Sequence, residues 1–288
     1  MTTLTPKKLA IYYGYPSLVN GSAGDVNSAV NVFKDYDMII FGSGLEEISH
    51  ADHNKTCNII SNILTTNVFG YIDSTISIHN FKNRVDKWLK MGVKGIFADK
   101  FGYDFSVSRS KQNQILDYIH SKSIIAFVNA WNPDDVFSSS VNVTYNPNGS
   151  PSVINSDDWY LAQSYQIING VHQNVNDWKS KSDKMKNYKQ VFGTKMACCT
   201  TYDISQFDQK KMDYAYFSTI LYGFDAFCFG ENNFSATNSL LPYRTRKQFY
   251  GSTFITDINS NSGIYKRNVN VGLFLNTNSH VIDTIILN

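Results

Sequence analysis

Cysteine is scarce in this 288-residue chain: Cys57, Cys198, Cys199 and Cys228 are too few and wrongly spaced for a disulfide framework or a thiolate metal site. All four lie inside apolar segments and read as small, reduced core residues. The six histidines, His50, His53, His79, His120, His172 and His280, give no paired ligand spacing, so no metal is expected. A phosphate loop is missing too. Gly42-Ser43-Gly44 lacks the further glycine and the lysine that such a loop needs, and no cofactor is expected. Nor is there an excess of one charge: a net +2 on 26 basic and 24 acidic side chains, without a basic run, gives no footprint for nucleic acid. The opening MTTLTPKKLAIYYGY is too polar to read as a secretion signal or a spanning helix, so no membrane association is expected and composition assigns no compartment.

What is present is a regular alternation of short apolar runs with helical patterns. Leu9 to Tyr15 reads as a first strand, and Asp25 as the N-cap of a helix carrying Val26, Ala29, Val30 and Phe33 on one face. Further strands are expected at Asp37 to Phe41, Asn67 to Ile72, Gly95 to Ala98, Ile124 to Asn129, Trp159 to Tyr165, Lys195 to Thr200 and Asp225 to Phe229. Helical faces fall between most of them; Gly92 and Gly223 close two. After the fifth strand the turn-rich stretch from Phe137 to Asp157 predicts a shortened helix or a loop. Eight βα units imply parallel strands and closure, hence an α/β fold of the (β/α)8 TIM-barrel type. Residues 1–239 are assigned to the barrel. Residues 240–288 are assigned to a C-terminal segment in which VGLFLN and VIDTIILN form a β-hairpin packed on it.

Chemistry in such barrels sits where the strands end. The stretch GIFADKFGYDF, Gly95 to Phe105, marks the place most sharply, because an apolar strand runs straight into Asp99 and Lys100. Strand alternation puts Asp99 on the side of Gly95 and Phe97, facing the mouth. The catalytic candidates are Asp99 first, with Glu231, Asp203 or Asp73 as its partner. The binding candidates are Tyr13, Tyr15, Lys100, Asn129, Trp131, Gln163, Tyr165, Tyr202 and Asn232. Carboxylates, amides and flat aromatics suit a sugar, whose hydroxyls need donors and acceptors and whose ring face lies on an aromatic ring. Each acid also has a purely structural reading as a helix cap or loop brace, and for Asp73 and Asp203 that reading is preferred.

The segments YYGYPSLVNG, FGSGLEE, FGYIDS, GIFADKFGYDF, FVNAWNPDDVF, NPNG, SYQ and YGFDAFCFGENNFSA span most of the chain. It resembles a group of bacterial and phage-borne TIM-barrel proteins related to the endo-α-1,4-polygalactosaminidase-like glycoside hydrolases. The resemblance implies a polysaccharide or oligosaccharide ligand, and virion or surface-assembly proteins as partners. In that group the fourth strand ends in two acids and the sixth in a glutamate. Asp99 matches the first acid, Lys100 stands in place of the second, and Gln163 replaces the glutamate. Both changes remove negative charge, so the expectation divides between a glycosidase and a glycan-binding protein without turnover, such as a component of a phage tail or cell surface.

Overall fold

A computed structural model describes residues 4–42, 44–202, 207–230, 234, 240, 253–269 and 271–285. The barrel strands are β1 (Lys7–Tyr12), β2 (Met38–Phe41), β3 (Asn67–Asp73), β4 (Gly95–Asp99), β5 (Ile125–Asn129), β6 (Trp159–Ala162), β9 (Lys195–Cys199) and β10 (Ala226–Cys228). They close in the order β1-β10-β9-β6-β5-β4-β3-β2, every pair parallel. Between β6 and β9 lies a two-stranded antiparallel ribbon, β7 (Ile167–Ile168) with β8 (Val171–His172). The architecture is thus the (β/α)8 barrel read from the sequence.

Seven α-helices occur among the described residues: α1 (Val26–Phe33), α2 (His53–Asn62), α3 (Ile78–Lys90), α4 (Arg109–Ser121), α5 (Pro133–Phe137), α6 (Val175–Phe192) and α7 (Gln209–Tyr222). Asp25 caps α1 as expected, its carboxylate accepting from the Ser28 N–H. The shortening expected after β5 is also present: α5 has five residues, and a bridge between Asn142 and Asn146 organises the loop beyond it.

Alternation along the strands sorts the core into two shells. Leu9, Ile11, Met38, Ile40, Phe69, Phe97, Phe127, Trp159, Leu161, Ala197, Cys199, Ala226 and Cys228 fill the barrel. Their neighbours of opposite parity, such as Ala10, Tyr12, Ile39, Val68, Ile96 and Val128, point out and meet the helices. Cys198, Cys199 and Cys228 are buried free thiols and Cys57 a partly buried one.

The C-terminal segment departs from a lone hairpin. β13 (Gly272–Asn276) and β14 (Val281–Ile285) pair antiparallel where the hairpin was expected. They are half of a four-stranded sheet completed by β11 (Asn259–Asn261) and β12 (Ile264–Asn268). The added hairpin turns on Ser262 and Gly263 at φ 49° and 80°. Two consecutive positive φ values are what a tight two-residue hairpin requires, and a Ser-Gly pair supplies them.

Candidate functional site at the strand ends

Adding one alternation step above the inner shell gives the mouth. Leu9 and Ile11 lead to Tyr13, Phe69 to Tyr71, Phe97 to Asp99, Phe127 to Asn129, and Trp159 and Leu161 to Gln163. These five side chains meet. One Asp99 oxygen accepts from the Tyr71 hydroxyl at 3.1 Å and the other from Asn129 Nδ2 at 2.8 Å. The same Asn129 nitrogen donates to Gln163 Oε1 at 2.8 Å. Tyr13 stands edge-on to Tyr71 with ring centres 5.2 Å apart. Its ring lies over Gly42, where an added Cβ would come within 2.5 Å of Tyr13 Cδ1.

The electrostatics follow from this placement. Burial raises the pKa of Asp99, and the hydrogen bonds from Asn129 and Tyr71 only partly offset that. Burial also raises Tyr13 and Tyr71, each further held neutral by the charge of Asp99. Burial thus favours the neutral form of Asp99 more than in a free carboxyl, and the group presents hydroxyl and amide groups to a polar ligand.

Lys100 and Asp73 flank this group and are occupied with each other. Lys100 adopts a left-handed φ of 53°, so the chain turns sharply after β4, and its ammonium donates to Asp73 Oδ2 at 2.7 Å. The other Asp73 oxygen accepts from the N–H and hydroxyl of Thr75. Burial opposes ionisation of Asp73, yet Lys100 and Thr75 bring its pKa below the usual value, while Asp73 raises that of Lys100. Asp73 is thus held by Thr75 and Lys100 where the chain leaves β3.

Tyr15 and Trp131 lie elsewhere, exposed at 41% and 50%. Tyr15 stands edge-on to His50, and Trp131 covers the Lys181 ammonium. Tyr165 and Tyr202 depart from the expected rim placement, since both are buried in the outer shell. The strand expected to reach Tyr165 stops at Ala162, because Ser164 and Gln166 take φ values of 56° and 63° and turn the chain back. The Tyr165 hydroxyl ends between Ser182 and the Ser218 carbonyl. Tyr202 has the outward parity relative to Cys199 and packs on Phe229. Asp203, Glu231 and Asn232 lie outside the described residues.

Tyr71 was missed in the sequence reading, although two residues after Phe69 is the position that alternation singles out. Lys181 was missed as well. It shares the buried face of α6 with Trp178, Ser182 and Met185, a spacing at which a lysine is out of place. Among the described residues no group of three or more His, Cys, Asp or Glu side chains is arranged to hold a metal ion. No helix there is long and apolar enough to cross a membrane.

No family model and no curated protein matches the chain. Solved structures resemble it at the level of the fold. A type I 3-dehydroquinate dehydratase from Clostridium difficile is 12% identical, with 79% of this chain and 84% of that one covered at a TM-score of 0.47. The YdjI aldolase from Escherichia coli K12 is 13% identical, covering 80% and 77% at 0.46. An N-acetylneuraminate lyase from Mycoplasma synoviae is 10% identical, covering 82% and 72% at 0.44. Likenesses this distant accompany a shared TIM-barrel architecture and carry no reaction with them.

Proposed function

We propose that this chain is a glycoside-hydrolase-like barrel that takes a polysaccharide at the C-terminal mouth of its strands. The observation that carries the reading is the bridge from Asp99 through the Asn129 amide to Gln163. Both oxygens accept from one nitrogen at 2.8 Å, which caps their separation at twice that length. An acid at position 163 would then lie no farther from Asp99 than the ~5–5.5 Å that separates the carboxyl groups of retaining glycosidases. Gln163 also stands where the resembled group carries a glutamate. Tyr13 and Tyr71 add an aromatic wall of the kind that sugar rings lie against.

As an active glycosidase the protein uses Asp99, whose carboxyl burial shifts toward the protonated form, as general acid, with Glu231 or Asp203 as its partner. Incubation with galactosaminogalactan and a panel of surface glycans then releases reducing ends, and Asp99→Asn abolishes the release. Glycans that neither bind nor are cleaved would defeat the proposal.

Gln163 and the Lys100–Asp73 pair favour a second reading, binding without turnover. In that case the protein is a glycan-holding component of a phage tail or cell surface, next to assembly proteins. The panel then shows binding and no reducing ends, and Gln163→Glu, which completes an acid pair across Asn129, creates hydrolysis.

A further inference from the structure

Beside the mouth, on the same rim, lies a second concavity of about 460 Å³ that the site above does not use. Trp131, Asn132 and Pro133, after β5, form one wall. Ile168, Gln173 and the first turns of α6, with Asp177, Lys181 and Lys184, form the other.

Lys181 is the anomaly in this cleft. The residue is only 8% exposed, and its ammonium has no hydrogen-bond partner among the described residues. What it has is the face of Trp131, whose ring centre lies 3.8 Å from Nζ. Burial lowers its pKa to about 8. An ammonium kept from water with only an aromatic face as partner is costly, and a bound anion would offset that cost. The other wall ammonium, Lys184, is already paired with Asp134 at 2.5 Å.

A second unused donor stands near. The Gln173 carbonyl oxygen accepts from the Gln166 N–H at 3.1 Å, while its amide nitrogen makes no hydrogen bond among the described residues. The indole of Trp131 is 50% exposed, whereas Trp88, Trp159 and Trp178 are at most 4% exposed. That exposure offers a platform for a ring and leaves the indole room to tilt off the ammonium. One unpaired positive charge with the exposed Asp177 in the same wall suits a monoanion better than a dianion.

We propose that this cleft is a subsite for an acidic sugar, its ring on Trp131 and its carboxylate taken by Lys181 with the Gln173 amide beside it. The inference rests on the glycan reading for the sugar and on the cleft alone for the acid.

The test uses the full chain, with an oligogalacturonate, a neutral oligogalactan of equal length and inorganic phosphate as probes. Binding is followed by calorimetry and by tryptophan emission, to which Trp131 contributes the solvent-exposed indole. The acidic oligomer should bind at least tenfold more tightly than the neutral one and shift the emission, and phosphate should not displace it. Lys181→Met should cost at least tenfold in that binding without lowering the unfolding midpoint. Trp131→Phe, at a half-exposed position and keeping an aromatic face over Lys181, should weaken binding and remove the emission change. Asp99→Asn should leave the preference for acid intact. Equal binding of the two oligomers, displacement by phosphate, or undiminished binding in both cleft variants would overturn the subsite. If neutral glycans bind without preference for acid, the subsite falls and the glycan reading stands; if no glycan binds at all, both fall.

Discussion

Asp99 is a carboxyl group whose burial opposes its charge, and that has a consequence for stability as well as for chemistry. Its folded pKa is raised above the ordinary 3.8, so below that value both states are protonated and the residue costs nothing. As pH rises, the unfolded chain ionises first, and folding stability is lost until the folded carboxyl has titrated as well. Asn at this position carries no charge, can accept from Asn129 and can donate to the Tyr71 oxygen. Asp99→Asn should therefore melt close to the parent at pH 3 and above it at pH 7, with thermal melts across that range showing the gap open. A gap that stays constant with pH would mean the carboxyl is not desolvated. Gly42 is the other position where one atom decides the site. Gly42→Ala puts a methyl within 2.5 Å of the Tyr13 ring, which must leave its place beside Tyr71. The expected result is loss of glycan binding at a stability cost of about 1–3 kcal/mol, read by calorimetry and urea unfolding.

At the scale of elements, helix ends separate what the sequence announces from what it conceals. α3, α6 and α7 are followed by Gly92, Gly193 and Gly223, all with left-handed φ between 72° and 89°. Two of these glycines were read correctly as stop signals. α4 ends the same way, but the left-handed residue is Ser123 at φ 58°. A serine gives no such signal, and its Cβ is strained there. Ser123 is exposed and its side chain makes no hydrogen bond among the described residues, so Ser123→Gly should stabilise the protein by about 1 kcal/mol in urea unfolding. A loss of stability would show that the cost in unfolded-chain entropy exceeds the strain relieved. The mouth divides in a similar way. Asp99 and Asn129 were legible because they end unbroken apolar strands, whereas Tyr165 was misplaced because the turn at Ser164 depends on a left-handed serine that no local pattern announces. The Ser164 hydroxyl meets Thr201 at 3.0 Å, a contact 37 residues away in sequence. The hairpin at Ser262-Gly263 was legible in principle, since a Ser-Gly pair between short runs is a turn signal.

For the molecule as a whole, the question is how the C-terminal sheet is held on the barrel. Arg267 of β12 is buried and donates to the Leu221 carbonyl of α7 at 2.8 Å, and Tyr265 meets Trp178 of α6 edge-on at 5.0 Å. At the end of the sheet where Asn276 pairs with Val281, His280, in the turn between β13 and β14, stacks on His172 of β8 with ring centres 3.6 Å apart. Tyr214 of α7 stands edge-on to both rings. Burial, then the neighbouring His280 and Lys211, lowers His172 to about 4, and burial lowers His280 as well, although Asp208 opposes the shift at His172. Two stacked imidazoles cannot both be charged cheaply, so docking favours their neutral forms. The sign follows from the depressed values: the contribution is complete above the ordinary 6.5 and is lost as pH falls from there toward 4, because the released sheet binds protons that the docked one refuses. Hydrogen exchange of β12 to β14 should therefore accelerate between pH 7 and pH 5, after correction for intrinsic rates, while β3 to β5 stay protected. His280→Asn tolerates the left-handed φ of 54° at that position and removes one titrating ring, so it should flatten this pH dependence. Protection of the sheet that is unchanged down to pH 4.5 would mean that the paired rings do not control its docking.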